Sequence, residues 1–423
     1  MSGIAGLRGT GDWGTDERPK DYRESILFFN SAGESPIFAL SGRGGKRVVK
    51  DPEFHWWNEG NVLVRLNVSA TAAAGDTLIT VDSLDPTATS LQANWGTATH
   101  LKPGDILMVD PVSSVTEPAA YAPEMIEVDN VLSDSQFTAK RGAGGTTAAS
   151  IAINTGLTLI GSSYAEGTGA PRAVSRNPVK FFNYTQIFKN TYELTGTADK
   201  TKARTGDPWS NDKKRKSFDH SRDIELSILF GTRSEVVAST ENGKPKRTFG
   251  GLRTFIPTTN TTIFPQFTNS NDGADRLVNA LAPVFDFNTG AGDTRMMFIG
   301  NNAAIALGKI FNKLPNIVIN NTERVKVYGI HFTEVILPQG RVLIKTHPLM
   351  SRHPIYRNSG FVLDFDAFKW APLEGRDTKT KDDVQADDED VRRGFIQTEA
   401  GIQVDYGGLT CAYLGNINTP TAP

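Results

Sequence analysis

The chain has 423 residues, 38% hydrophobic and 22% charged, with a net charge of −2. That length is a soft prior for about 2–4 domains, and the charge balance disfavours a dedicated nucleic-acid binder, which normally carries a strong basic excess. The single cysteine, Cys411, excludes an internal disulfide framework and suits a reducing cytoplasm. No stretch of about 18 apolar residues exists and no apolar run follows Met1, so neither a membrane span nor a signal peptide is expected.

The first segment, Met1 to about Lys50, is Gly-rich and mixed in charge, with one apolar patch from Ile26 to Phe29. Alone it reads as a flexible arm. FHWWNEGNVLVRL, Phe54 to Leu66, begins an extended segment. From Asn67 to about Asn154 the composition shifts to Ala, Thr, Gly and Asp, and three short strands end in Val81-Asp82, Val109-Asp110 and Val128-Asp129. Short strands between turn clusters predict a small β-barrel or sandwich. The aspartates suit turn starts, and no EF-hand spacing for calcium is present.

FFNYTQIFKNTYELTGT then predicts a long strand with Phe182, Tyr184, Gln186, Phe188, Asn190, Tyr192 and Leu194 on one face. The run is about twice the usual strand of ~5–6 residues. It is either one long arm or two strands. Asp207-Pro208 reads as an N-cap and first helical residue, opening a helix that ends at Gly231. Lys213, Lys214, Arg215 and Lys216 sit near its N-terminus, against the helix dipole, as a solvated end or a surface for an acidic partner. Turns follow at Asn242-Gly243 and Gly250-Gly251.

From Arg253 to about His347 the pattern is mixed α and β. DGADRLVNALAPVF and NNAAIALGKIFNKL space apolar residues at helical intervals, TRMMFIG is a short buried strand, and strands meet across Pro338-Gln339-Gly340. The last part has strands FVLDFDAFKW and GIQVDYGGLTCAYLG around a charged loop with Asp387, Asp388, Glu389 and Asp390. Such a run is solvated or meets a basic segment, such as Lys213 to Lys216 of another copy.

Catalytic patterns are weak. GRGGKR at Gly42 lacks P-loop spacing and GTGDWG at Gly9 lacks a βαβ context. His347 and His353 are wrongly spaced for a helical zinc pair, and no G-x-S-x-G elbow occurs. No catalytic residue, cofactor or metal site is expected.

As an ordered set, Tyr184 to Gly206, the charged helix Ser210 to Gly231, NGKPKRTFGGLRTFI (Asn242 to Ile256) and TEAGIQVDYGGLTCAYLGNI (Thr398 to Ile417) resemble tailed-bacteriophage major capsid proteins of the Hong Kong 97-type fold. The resemblance implies an α+β fold: an N-terminal arm (1–50), extended-loop arms (51–66 and 155–200), a peripheral domain (201–250 and 348–423) with a spine helix over 208–230, and an axial domain (251–347). The β-rich stretch 67–154 departs from the family's minimal pattern and reads as a β-barrel-like domain inserted in the extended loop. It implies self-assembly into hexamers and pentamers of an icosahedral head around double-stranded DNA, inside the host cytoplasm. Further implied partners are a portal and scaffolding or decoration proteins, with no membrane. An encapsulin-like shell and a β-rich adhesion or carbohydrate-binding protein are the alternatives. Candidates for contacts between copies are Trp56, Trp57, Phe182, Tyr184, Phe188 and Tyr192, because aromatics concentrate at interface cores, together with Lys213–Lys216 and Asp387–Asp390. All six aromatics can equally pack within the subunit.

Overall fold

The computed structural model describes residues 35–59, 65–82, 97–110, 123–174, 178–201, 206–287, 292–311, 318–327 and 330–421. Most of the expected N-terminal arm, residues 1–34 with the Gly9 motif, lies outside them.

The described chain opens with helix α1 (Pro36–Gly44) and strand β1 (Glu53–Asn58). Six short strands follow: β2 (Arg65–Asn67), β3 (Leu78–Thr80), β4 (Asp105–Val109), β5 (Met125–Val131), β6 (Gln136–Lys140) and β7 (Gly156–Ser162). They form one sheet in the order β2-β7-β4-β5-β6-β3. Its two edges meet where Val68 bridges Val81, with Ser69 N donating to Thr80 O at 3.0 Å and Asp82 N to Asn67 O at 2.9 Å. The sheet therefore closes into a barrel, which leaves no open edge. Leu66, Val68, Leu107, Ile126, Phe137 and Leu157 fill it. The expected β-rich insertion is a barrel, but it runs from Arg65 to Ser162 and not from 67 to 154, because its first and last strands pair with each other. Two of the three Val-Asp aspartates serve structure: Asp82 accepts from Asn67 Nδ2 at 2.5 Å, and Asp110 from Arg65 Nε at 2.6 Å and Thr158 Oγ1 at 2.8 Å, while Asp129 is exposed.

After the barrel come β8 (Val179–Tyr184) and β9 (Gln186–Thr195). Here the expected single aromatic arm divides. β8 pairs antiparallel with β1, Trp56 opposite Phe181, in a two-stranded hairpin. β9 instead pairs with a late strand of another sheet. At the break, Thr185 N donates to Pro52 O at 2.8 Å. The inward face also slips by one residue: Asn183 and Thr185 are buried before the break, Phe188 and Tyr192 after it. Phe182 and Tyr184 therefore do not share a face with Phe188, contrary to the alternation. Asn183 explains the slip. Its Oδ1 accepts from Gly250 N (2.8 Å) and Tyr184 N (2.9 Å), and its Nδ2 donates to Gly250 O (3.1 Å) and Ile402 O (2.8 Å). A buried amide side chain with every group satisfied fixes one register.

α2 (Gly196–Lys200) leads to the long helix α3 (Pro208–Phe230). Asp207 caps it as expected, accepting from Trp209 N (3.3 Å) and Ser210 N (3.1 Å). Beyond it lie the hairpin β10 (Ser234–Val236) and β11 (Lys246–Thr248), then α4 (Leu252–Phe255). The Gly250-Gly251 turn presses backbone to backbone on the end of α3. A Cβ on Gly251 would lie 2.5 Å from Ser227 O and 2.7 Å from Gly231 N.

The remaining elements are β12 (Thr261–Ile263), α5 (Ser270–Phe285), β13 (Thr294–Ile299), α6 (Asn301–Phe311), β14 (Val318–Val327), β15 (Ile330–Leu337), β16 (Gly340–Thr346), α7 (Pro348–Arg352), β17 (Gly360–Leu363), β18 (Phe368–Pro372), β19 (Lys379–Lys381), β20 (Val391–Val404) and β21 (Ala412–Gly415). A seven-stranded sheet runs β12-β21-β17-β13-β16-β15-β14. β13 alternates between two cores: Met297 and Ile299 face α5 and α6, Met296 and Phe298 the other side. A strand apolar on both faces needs cover on both. β17 and β21 share that character, so they join this sheet. The peripheral unit expected over 348–423 is corrected accordingly: only β18, β19 and β20 sheet with β9.

α3 lies on the inward face of that peripheral sheet. His220 ties them, its Nδ1 2.7 Å from Asn190 Oδ1 and its Nε2 2.7 Å from Thr398 Oγ1. Burial pushes this imidazole's pKa down. Glu225, fully buried one turn further on, carries the junction of the whole subunit. Ser35 makes no side-chain cap on α1. The Glu225 carboxylate takes over, with Ile37 N at 2.9 Å from Oε1 and Phe38 N at 2.7 Å from Oε2. His347 Nε2 lies 2.8 Å from the same Oε1, while its Nδ1 accepts from Met350 N at 3.5 Å. That pattern assigns the proton to Nε2.

Two outcomes follow. Glu225→Ala strands two buried donors, Ile37 N and His347 Nε2, at about 1–3 kcal/mol each, and the part-buried Phe38 N, so urea unfolding of the subunit is expected to show a loss of at least ~2 kcal/mol, against under ~1 kcal/mol for the half-exposed neighbour Leu226→Ala. The segment 65–162, with its own closed sheet and core, is expected to fold alone. A dispersed amide spectrum and a cooperative melt check this; collapsed resonances would contradict it.

Candidate assembly interface

The aromatic and charged candidates fall into three groups. Trp56, Phe188 and Tyr192 are 4%, 6% and 3% exposed and are spent inside the subunit. Trp56 stacks on Phe54 and Phe181. Phe188 meets Phe249 and His220 edge-on. Tyr192 packs edge-on against Trp209 at 4.8 Å, with Gly394 leaving room for its ring. Within the subunit these three are core residues and present no face to another copy: the inner side of β1 carries Trp56 into the main core, while Phe188 and Tyr192 turn inward because β9 lies under α3.

The second group is on the outer face of the β1–β8 hairpin. Pairing puts His55, Trp57, Lys180, Phe182 and Tyr184 on that face. Trp57 is 61% exposed, with Lys180 Nζ 6.0 Å from its ring. Phe182 is half-buried under Arg233, whose guanidinium carbon sits 3.8 Å from the ring centre and whose Nη1 donates to Phe182 O at 2.8 Å. Burial, then Glu53 and Glu235 beside it, push the Tyr184 phenol up. An exposed tryptophan on the outer face of this two-stranded pair suits a contact with another molecule, since aromatics are enriched at interfaces.

The third group is charged. Lys213 reaches Asp382 of its own chain at 2.6 Å, and Tyr192 Oη donates to the same carboxylate. The Lys213 ammonium first, then Tyr192, hold the Asp382 carboxyl below its usual range, and burial and Asp382 push the Tyr192 phenol up. Arg215 pairs with Asp212 at 3.2 Å and Lys216 with Asp219 at 3.5 Å, while Lys214 is exposed. The basic helix start is thus largely neutralised within its subunit. In the acidic loop, Glu389 pairs with Arg393 at 3.2 Å, and Asp387, Asp388 and Asp390 are exposed.

Three residues that organise this surface were not singled out in the sequence. Asn183 hides on an apparently polar face. Trp209, in the first turn of α3, carries Arg392 4.3 Å over its ring. Glu225 had a readable signal: a carboxylate interrupting the apolar stripe of α3. His347 is committed to Glu225, and exposed His353 caps the turn after α7 through Ile355 N (3.1 Å) and Tyr356 N (3.2 Å). Among the described residues no cluster of His, Cys, Asp and Glu could hold a metal ion, and no helix is long and apolar enough to cross a membrane.

Residues 10–417 match the family model described as SU10 major capsid protein. The major capsid protein of Pseudomonas phage PaMx41 is 29% identical over 419 residues, covering 96% of this chain and 91% of that protein. Among solved structures, that of Microbacterium phage Oxtober96 is similar over 94% of this chain and 96% of its own, at 10% identity and a TM-score of 0.42. The capsid of a native GTA particle is similar over 94% and 95%, at 10% identity and a TM-score of 0.40. The sequence match along nearly the whole length decides the assignment: the chain belongs to the SU10 major capsid protein family.

Proposed function

We propose that this chain builds an icosahedral phage head of Hong Kong 97-type subunits, as hexamers and pentamers that enclose double-stranded DNA. It assembles in the cytoplasm of a bacterial host, around a portal, with scaffolding or decoration proteins as further partners. Its role is structural and needs no cofactor. Family membership supports the capsid role, and the alignment over 96% of the chain with a phage major capsid protein favours it over an encapsulin-like shell or an adhesion protein. The observation that carries the assembly mechanism is the β1–β8 hairpin: its inner face is spent on the subunit core and its outer face presents Trp57.

Such a shell is held by many modest contacts acting together. Head-to-tail contacts of one chain with the next close into rings. Each contact can be weak, because every subunit makes several at once. The self-neutralised helix start leaves hydrophobic and shape terms to dominate at Trp57, with electrostatics selecting partners elsewhere.

The test is negative-stain microscopy with sedimentation of the purified chain. Closed shells that take up DNA are expected; shells filled with protein cargo, or stable monomers, would contradict the reading. Trp57→Ala is expected to cost about 2 kcal/mol at each contact and to lower shell yield, with the circular dichroism of the subunit unchanged.

A further inference from the structure

The outer face of the peripheral sheet carries a basic patch that the described residues of the subunit leave without an acidic partner. In an antiparallel ladder directly opposite residues share a face. Lys379, Gln397 and Lys189 therefore form one row, and Lys381, Phe395 and Thr191 the next. The opposite face, with Ile396 and Tyr192, is the one packed around Trp209 of α3. Lys189, Lys379 and Lys381 are exposed. Lys189 Nζ lies 4.6 Å from the Phe395 ring. None of the three lysines has an acidic partner among the described residues. The neighbouring acids are already taken: Asp377 by Lys46 and Glu399 by Arg376. A shallow hollow of about 140 Å³ opens between Arg376, Lys379, Lys381 and Phe395.

The same hairpin carries the opposite charge at its tip. Asp387 and Asp388 are exposed and have no cationic partner among the described residues. The tip is braced by its own bonds: Val384 N donates to Arg393 O at 2.9 Å, Glu389 N to Ala386 O at 3.1 Å, and Arg392 Nε to Asp383 Oδ1 at 2.9 Å. No hydrogen bond or ion pair of the described residues joins Asp387 or Asp388 to Lys189, Lys379 or Lys381. One element thus holds a basic shaft and an acidic tip that do not satisfy each other.

We propose that the Asp387–Asp388 tip of one subunit docks on the Lys189–Lys379–Lys381 face of a second copy of this chain. The inference rests on the shell reading above and names one contact within it. Complementary charges on two different surfaces of one element make a heterologous contact, the kind that closes into a ring when repeated by rotation. They fix register and speed encounter, and added salt weakens them. Phe395 offers the apolar floor that lysines alone lack.

The experiment compares shell yield, by sedimentation and microscopy, for the wild-type chain, Lys379→Glu with Lys381→Glu, Asp387→Lys with Asp388→Lys, and the chain carrying all four changes. Each reversal is expected to lower yield about tenfold at low salt, and the fourfold chain to recover to within about twofold, because attraction is restored with exchanged signs. All four positions are exposed, and an unchanged melting temperature confirms that each subunit folds. Lys379→Gln with Lys381→Gln gives a milder loss if charge is the cause. Wild-type yield from either reversal, or no recovery in the fourfold chain with its melt intact, would overturn the proposal. Normal shells that retain less DNA when the lysines are reversed would overturn it in favour of a nucleic-acid contact. Monomeric wild-type chain would instead defeat the shell reading itself.

Discussion

The buried Glu225 carboxylate is the constraint on which the rest of the subunit depends. A helix start leaves backbone N–H groups without partners, and α1 begins in the interior, where water cannot supply them. Glu225 supplies them from the middle of α3 and holds His347 at the base of α7 with the same oxygen. Three parts of the chain far apart in sequence thus meet at one side chain: the N-terminal segment, the spine and the junction with the seven-stranded sheet. An unpaired buried polar group is costly, so these parts hold position together or not at all. Asn183 does the same where the outer hairpin leaves the body, and Gly251 where the backbone passes over the end of α3.

This internal bracing bears on assembly. A subunit that joins several neighbours by weak contacts must present them in fixed geometry, because each mobile element adds an ordering cost to every contact. The aromatic residues of β9 serve that rigidity from inside. Outside, the described residues present Trp57 on the β1–β8 hairpin and a charged hairpin on the peripheral sheet. The barrel from Arg65 to Ser162 hangs on this frame with a separate core, so it adds surface without sharing the body's packing.

The order of elements was legible because helices and strands announce themselves by period: Asp207-Pro208 opens α3, and Val-Asp strand ends mark the barrel. The break at Thr185 was not legible. FFNYTQIFKNTY alternates smoothly, and Asn183 looks like an outward polar residue until Gly250 and Ile402 are seen to receive it. The closing strands misled for a similar reason. GFVL and CAYLG are apolar on both faces, but which sheet provides two-sided cover is a tertiary fact. The basic helix start read as a partner surface because its nearest acids are either one turn away, where Asp212 and Asp219 pair with it, or about 170 positions along the chain, where Asp382 meets Lys213. Outward aromatics were the hardest to place, since the same residue type serves the core at Trp56 and the surface at Trp57.

Native-state hydrogen exchange on the unassembled subunit tests the central claim, that Glu225 locks the N-terminal segment to the spine before any neighbour is met. The amides of Ile37 and Phe38 should exchange as slowly as that of Ile228 within α3, in one cooperative opening. Exchange of Ile37 and Phe38 near the unfolded rate, while Ile228 stays protected, would contradict the account.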